Sequence, residues 1–144
     1  MGLFDAFKKG EPQAPAAAPA SNGGLDFMAA IEAHIRWKIR LENYIEGTST
    51  EKLDIAVVGA DNMCALGKWI YGEGAKYNGN PLFEEIRQIH AEFHKGAAKI
   101  IMMADAGQKA EALDAVQRGD HFKNSQRIKA KLARMHMEIN GAEE

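Results

Sequence analysis

Apolar residues recur at every third or fourth position along most of the chain after residue 24, which is the spacing of one face of an α-helix. The first stripe predicts a helix over about 27–45, with apolar or inward positions at Phe27, Ile31, His34, Ile35, Leu41 and Ile45. A second helix is predicted over about 60–71, with one side formed by Met63, Leu66, Gly67 and Ile70. The only strand-like segment is the short run 55–58.

Two longer stripes follow a loop rich in Gly and Asn. Pro81 suits the first turn of a third helix, which ends or bends at Gly107. Its stripe consists of Phe83, Ile86, His90, Phe93, Ala97, Ile101 and Ala104. A fourth helix is predicted over about 109–139, with a stripe of Leu113, Val116, Phe122, Ile128, Leu132, Met135 and Ile139. Four amphipathic helices with short connections predict an all-α fold, an antiparallel four-helix bundle.

The N-terminal segment has a different composition. Residues 10–24 hold three prolines among Ala, Gly and Ser, which predicts a flexible, semi-extended linker. Residues 1–9 form a short amphipathic tag, which is either a frayed terminus or a docking peptide for a partner or a membrane surface. We therefore expect a disordered N-terminal segment at 1–24 and one helical domain at 25–144.

Composition narrows the possible functions. The chain has 144 residues, of which 46% are apolar, and a net charge of −2, which suits one globular domain and argues against nucleic acid as a partner. We find no signal peptide and no membrane-spanning stretch, so a cytoplasmic protein is expected. The single cysteine, Cys64, rules out an internal disulfide and is a buried apolar residue, a nucleophile or a metal ligand.

The spacing of two histidines is the first indication of a metal site. His90 and His94 are four residues apart on the predicted third helix, so both imidazoles project from one face and could chelate a divalent cation. His90 also lies on the apolar stripe, between Ile86 and Phe93. The structural alternative is an ordinary hydrogen-bonded core histidine.

His34 and Cys64 fall on the inward faces predicted for the first and second helices. Three neutral imidazoles and one thiolate would complete a tetrahedral site, and a soft thiolate favours zinc over magnesium, calcium or manganese. A single buried Cys or His is more often a core residue, so only the four residues together indicate a metal site. His121 and His136 lie among polar residues and are predicted to be exposed.

Three segments resemble the chemoreceptor zinc-binding domain family, over about 25–138. They are HIRWKIRL at 34–41, DNMCALGKWIYG at 61–72 and HAEFH at 90–94, and the Cys-x-Leu-Gly-Lys-Trp motif is the most specific part. The resemblance implies a three-His, one-Cys zinc site in a four-helix bundle, with ligands His34, Cys64, His90 and His94. It also implies a role in regulating cytoplasmic chemoreceptors or diguanylate cyclases in response to zinc, or to oxidants such as hypochlorous acid.

No signalling or catalytic domain accompanies these segments. We therefore expect either output through a separate chemoreceptor or diguanylate cyclase, or a zinc-binding scaffold that does not sense. Family members often pair, so a homodimer is expected, and Ile100, Met102 and Met103 could supply apolar surface.

Three further residues are candidates to surround the ligands. Asp61 could accept a hydrogen bond from a ligand imidazole or could simply begin a helix. Trp37 and Trp69 lie near ligands in the sequence and could serve in core packing or at an interface. Oxidation of Cys64 is predicted to release the second helix, with Gly72 and Gly74 as a hinge.

A zinc hydrolase and a di-iron protein are the alternatives to a sensory role. A zinc hydrolase of the zincin type needs Glu directly after the first His, where this chain has Ala91, and Glu92 lies about 200° around the helix from His90. A hemerythrin-like di-iron site needs more inward histidines and carboxylates than the pattern offers. We therefore expect a protein that is not an enzyme.

Overall fold

The computed structural model describes residues 24–143, with side chains as far as Asn140. The N-terminal tag and linker, which are predicted to be flexible, lie outside this range except for Gly24. The described part contains helices and no strand, which confirms the all-α prediction. The α-helices are α1 (Phe27–Glu46), α2 (Ile55–Val58), α3 (Ala65–Tyr71), α4 (Pro81–Asp105), α5 (Lys109–Arg118) and α6 (Asp120–Glu143), and a 3-10 helix covers Glu73–Tyr77.

Short polar side chains cap the N-terminal ends of the long helices α1 and α4. Asp26 accepts a hydrogen bond from the Ala29 amide at 3.0 Å and begins α1. Asn80 accepts from two amides of the first turn of α4, and Pro81 takes the first helical position, as predicted. Gly47 ends α1 with φ at 80°, a left-handed conformation that glycine adopts at little cost.

Contacts between helix ends define the topology. The Tyr44 hydroxyl donates a 2.6 Å hydrogen bond to Asp105, so α1 and α4 end at the same side of the domain and run parallel. Phe27, at the start of α1, stacks on His136, near the end of α6, with ring centroids 5.3 Å apart. Helix α6 therefore runs antiparallel to α1, and α1 and α4 are the two helices of common direction in an up-down-up-down bundle.

The second leg of this bundle is more broken than the predicted helix over 60–71. Residues 55–58, the strand candidate, form the short helix α2, and residues 60–64 form turns, so α3 begins only at Ala65. A β-carbon on Gly67 would lie 1.8 Å from the carbonyl oxygen of Asp61, which shows how closely the turn folds back on α3. That close approach prevents a continuous helix through Cys64.

Gly72 and Gly74, the predicted hinge, occupy closely packed positions. A β-carbon on Gly72 would lie 2.8 Å from the Lys68 carbonyl oxygen, and one on Gly74 would lie 2.7 Å from the Trp69 carbonyl oxygen. Both glycines therefore let the 3-10 helix pack tightly against α3.

The predicted fourth helix is divided at Gly119 into α5 and α6. The buried positions step by four from Ala112 to Val116 and then by five to His121. The break shifts the phase of the helix and turns His121 inward, where only 5% of its surface is exposed, so the prediction of an exposed His121 was wrong. His136 is also partly buried, against Phe27.

The core lies between α1, α4 and α6. Its largest fully buried side chains are Phe27, Phe83, Phe93, Leu41, Leu66, Ile70, Ile86, Ile100, Ile101, Ile128, Leu132 and Met135. Ile35, predicted to face inward, is exposed, whereas Ile100, proposed as spare apolar surface, is buried. Within the described residues, none of the helices is both long and apolar enough to cross a bilayer.

Candidate metal centre

Four side chains from three parts of the chain converge in the bundle interior. His34 comes from α1, His90 and His94 come from successive turns of α4, and Cys64 immediately precedes α3. One potential ligand atom from each residue lies within 4.8 Å of the other three. This is the only group of this kind among the described residues.

The interatomic distances fit a tetrahedral centre. The Cys64 Sγ atom lies 3.3, 3.6 and 4.0 Å from the Nε2 atoms of His90, His94 and His34. The Nε2 atoms of His90 and His94 are 3.0 Å apart. Zinc bonds of about 2.0–2.1 Å to nitrogen and about 2.3 Å to sulfur give tetrahedral edges of roughly 3.3 Å and 3.6 Å. The four residues therefore already stand at distances that suit zinc.

Backbone carbonyl groups orient two of the imidazoles. His34 Nδ1 lies 2.7 Å from the Ala30 oxygen, and His94 Nδ1 lies 2.8 Å from the Val58 oxygen. Each Nδ1 is the donor, because a carbonyl oxygen can only accept, so each Nε2 presents a lone pair to the cluster. Imidazole lone pairs that converge with a sulfur atom form a donor set that fits zinc.

Burial keeps the histidines in the neutral form that binds metal. Burial is the main cause that lowers the pKa of His34 to about 4 and the pKa of His90 to about 2. It also lowers the pKa of His94, although the bond to Val58 opposes this shift. His90 Nδ1 is buried and has no hydrogen-bond partner among the described residues.

Cys64 is partly buried and serves as the N-cap of α3. Its Sγ atom accepts a hydrogen bond from the Gly67 amide at 3.4 Å. Burial raises the pKa of the Cys64 thiol, and the amides of Gly67 and Leu66 partly oppose that shift. Its placement before α3, and not on the inner face of a helix, differs from the sequence prediction and results from the turns at 60–64.

The three predicted neighbours take different roles. Asp61 accepts a hydrogen bond from the Tyr71 hydroxyl at 2.5 Å, and the carbonyl groups of Ala30 and Val58 contact the imidazoles instead. Trp37 lies edge-on to His94 at 6.5 Å between ring centroids. Trp69 packs against Phe27 and Phe83, as a core residue does.

A cavity of about 370 Å³ gives solvent a route to the cluster, because Cys64 and His94 are among its lining residues. Arg40 forms part of its wall, with its guanidinium 3.8 Å from the centroid of the Trp37 ring. The same guanidinium forms a 2.7 Å ion pair with Glu51. A small molecule in this cavity would therefore lie against Cys64 and His94.

Comparison with known proteins agrees with this geometry. Residues 34–101 match the family model described as the chemoreceptor zinc-binding domain. The matched segment contains all four clustered residues. No curated protein and no solved structure matches the chain.

Proposed function

We propose that this protein is a zinc-binding sensory module, because residues 34–101 match the family model described as the chemoreceptor zinc-binding domain. The observation that carries the proposal is the convergence of four ligand atoms within 4.8 Å. The proposed ligands are His34, Cys64, His90 and His94.

Metal analysis of the purified protein tests the zinc assignment directly. We expect one zinc ion per chain, because the four residues fill a tetrahedral shell. Two irons per chain would overturn the proposal in favour of a di-iron bundle. The same measurement on Cys64→Ser, which retains the three imidazoles, should show weaker retention of zinc.

The sensing step that we propose occurs at the Cys64 sulfur. Bound zinc would keep Cys64 as a thiolate at neutral pH, and thiolates are the cysteine form that oxidants attack. With hypochlorous acid, the sulfur would take up the hydroxyl group and chloride would leave, which yields a sulfenic acid. The cavity beside Trp37 and Arg40 supports this step, since it gives an oxidant access to the sulfur.

Loss of the sulfur ligand would release the turns at 60–64 and the start of α3. Gly72 and Gly74 are tightly packed, so we place the mobile part before α3 and not after it. A change in this segment could be transmitted to a separate chemoreceptor or diguanylate cyclase, which is the output that we propose.

An oxidant titration with a zinc indicator tests sensing apart from zinc binding. We expect release of zinc as Cys64 is oxidised. Retention of all zinc after complete oxidation of Cys64 would leave a zinc-binding scaffold as the function.

Two observations support a sensory role over hydrolysis. Four protein ligands leave no open coordination position for a substrate or a catalytic water. Glu92, the nearest acidic residue on α4, is exposed and lines a cavity between α4 and α6 that contains none of the four proposed ligands. We propose a cytoplasmic location, where reducing conditions keep a single thiol available for metal.

We also propose a homodimer. Exposed apolar side chains at Met28, Ile35 and Ile39 follow one face of α1, and such a stripe suits contact with a second copy. Light scattering coupled to size exclusion should give the dimer mass, and Ile35→Glu with Ile39→Glu should reduce it to the monomer mass.

A further inference from the structure

A second cavity lies between α4, α5 and α6, where the chain breaks at Gly119. Its volume is about 600 Å³, which is large enough to receive several side chains of a partner. It contains none of the four proposed zinc ligands. Its lining includes five charged residues and a histidine, namely Lys95, Lys99, Arg127, Glu92, Asp120 and His121.

Three cations on the rim of this cavity have no counter-ion within the described part of the chain. Lys95 and Lys99 are exposed on α4, and Arg127 is exposed on α6. None of the ion pairs between described residues includes them. Arg127 donates one hydrogen bond to the Asn124 side-chain oxygen at 3.2 Å, which holds its guanidinium at the rim.

The sequence around Arg127 is basic although the whole chain has a net charge of −2. Between Asp120 and Glu138 there are five Lys or Arg residues and no Asp or Glu. This basic stretch of α6 contains Arg127, and its charge would favour an acidic partner at the rim.

The interior of the cavity combines apolar and polar groups. Its lining includes the apolar residues Met103, Ala115 and Ile100, of which Ile100 is only 2% exposed, and the polar residue Asn124, which is 7% exposed. The Nε2 atom of His121 is buried and has no hydrogen-bond partner among the described residues. An apolar floor beneath a cationic rim fits a segment that alternates carboxylates with apolar side chains.

Two acidic residues on the same rim decide between classes of partner. Glu92 and Asp120 line the same cavity as the three cations, although neither forms an ion pair with them. A continuous phosphate chain or a flat anionic bilayer would place negative charge against both carboxylates, whereas a peptide can space its carboxylates to avoid them.

We infer that the cavity bounded by Lys95, Lys99 and Arg127 is a docking surface for an acidic amphipathic segment of a partner protein. This inference rests on the proposed function in one respect, since it supplies the surface through which a separate output protein would be contacted.

Fluorescence anisotropy with zinc-loaded, full-length protein tests the inference. The probe is a fluorescein-labelled helical peptide of Glu, Leu and Ala, compared with the same peptide carrying Gln for Glu. We expect the Glu peptide to bind at least about tenfold more tightly, and Lys95→Gln with Lys99→Gln to lower its affinity by about tenfold. Lys68→Gln with Lys76→Gln, which removes the same charge from α3 and the 3-10 helix, should change the affinity by less than about twofold.

Three results would overturn the inference. They are equal losses of affinity in the two double variants, tighter binding of single-stranded DNA or of phosphatidylglycerol vesicles than of the Glu peptide, and absence of binding at low salt. Zinc content measured on the same samples separates the two proposals. Lost peptide binding with zinc retained contradicts the docking surface alone, whereas zinc loss from protein that still binds peptide contradicts the sensory site alone.

Discussion

The His94 Nδ1 atom donates a 2.8 Å hydrogen bond to the carbonyl oxygen of Val58, which is the last residue of α2. A four-residue helix thereby orients a proposed ligand on α4. The start of α2 is held by Asp54, whose side chain accepts a 2.9 Å hydrogen bond from the Ala56 amide. The position of the imidazole therefore depends on a helix cap outside the metal centre.

Asp54→Ala should weaken zinc binding although Asp54 is not a ligand. Loss of the cap costs about 1 kcal/mol of helix stability, and disturbance of a ligand's hydrogen-bond partner lowers metal affinity by roughly tenfold. Competition with a chelator measures the affinity. Asp26→Ala removes the equivalent cap of α1 and is the control, so equal loss of affinity in both variants would contradict the role of α2.

Cys64→Ser should separate the two roles of Cys64. Serine is a good N-cap, so it should still accept from the Gly67 amide and preserve α3, whereas its hydroxyl is a poor zinc ligand. We expect at least a roughly 100-fold loss of zinc affinity with unchanged helix content by circular dichroism. Cys64→Ala should lose the cap as well and unfold at a lower temperature in the metal-free state.

Gly67→Ala should destabilise the turn that carries Cys64. The added β-carbon would lie 1.8 Å from the Asp61 carbonyl oxygen, so the backbone must move, at a cost of about 1–3 kcal/mol of unfolding free energy. Urea denaturation measures this change. In Gly96→Ala the β-carbon would meet only ordinary contacts near His121, at 3.5 Å, and this helix-interior change should be neutral or stabilising. A stable Gly67→Ala protein would show that the turn tolerates displacement.

Trp37 should report the state of the metal centre by its fluorescence. Its ring lies 6.5 Å from that of His94, whereas Trp69 packs against Phe27 and Phe83. Oxidation or chelation should shift the emission of the wild type and of Trp69→Phe. Trp37→Phe should lose the shift although it still releases zinc, and a shift that persists without Trp37 would place the rearrangement elsewhere.

His121 should make the metal-free protein sensitive to acid. Burial, aided by the charges of His94 and His34, lowers its pKa from 6.5 to about 4. Between these values the unfolded chain takes up a proton that the folded chain excludes, so stability falls as pH decreases from about 6.5 to about 4. Measured by urea denaturation, His121→Leu should reduce this loss by up to about 3 kcal/mol, and an unchanged pH dependence would show that His121 does not contribute.

Sequence periodicity was sufficient for α1 and α4 and for the three histidines that these two helices carry. His34 and His90 lie on regular apolar stripes, and helix geometry alone places His94 one turn after His90. The same periodicity predicted Cys64 on a helix. It contains no information about the Asp61 carbonyl oxygen, which packs against Gly67. A close approach between backbone atoms leaves no trace in a hydrophobic pattern.

The sequence pattern did not predict the burial of His121 for a related reason. His121 follows a glycine and an acidic residue in the sequence, and a continuous helix from Lys109 would have placed it off the buried stripe. One glycine interrupts that helix and changes its phase. The sequence also does not predict that the carbonyl groups of Ala30 and Val58 accept hydrogen bonds from the imidazoles. Every residue has a carbonyl group, so no residue type indicates this role.

Phe93 lies between the proposed metal centre and the cavity bounded by Lys95, Lys99 and Arg127. Its ring contacts the imidazoles of His34 and His94, at 5.1 and 5.5 Å between centroids, and that of His121 at 4.4 Å. One rigid ring thus touches the proposed metal site and the lining of the proposed docking surface. Thermodynamic linkage requires that any effect of zinc on partner affinity be returned as an equal effect of the partner on zinc affinity. If zinc changes the affinity for a partner held at Lys99 and Arg127, that partner changes by the same factor the zinc concentration at which the module responds.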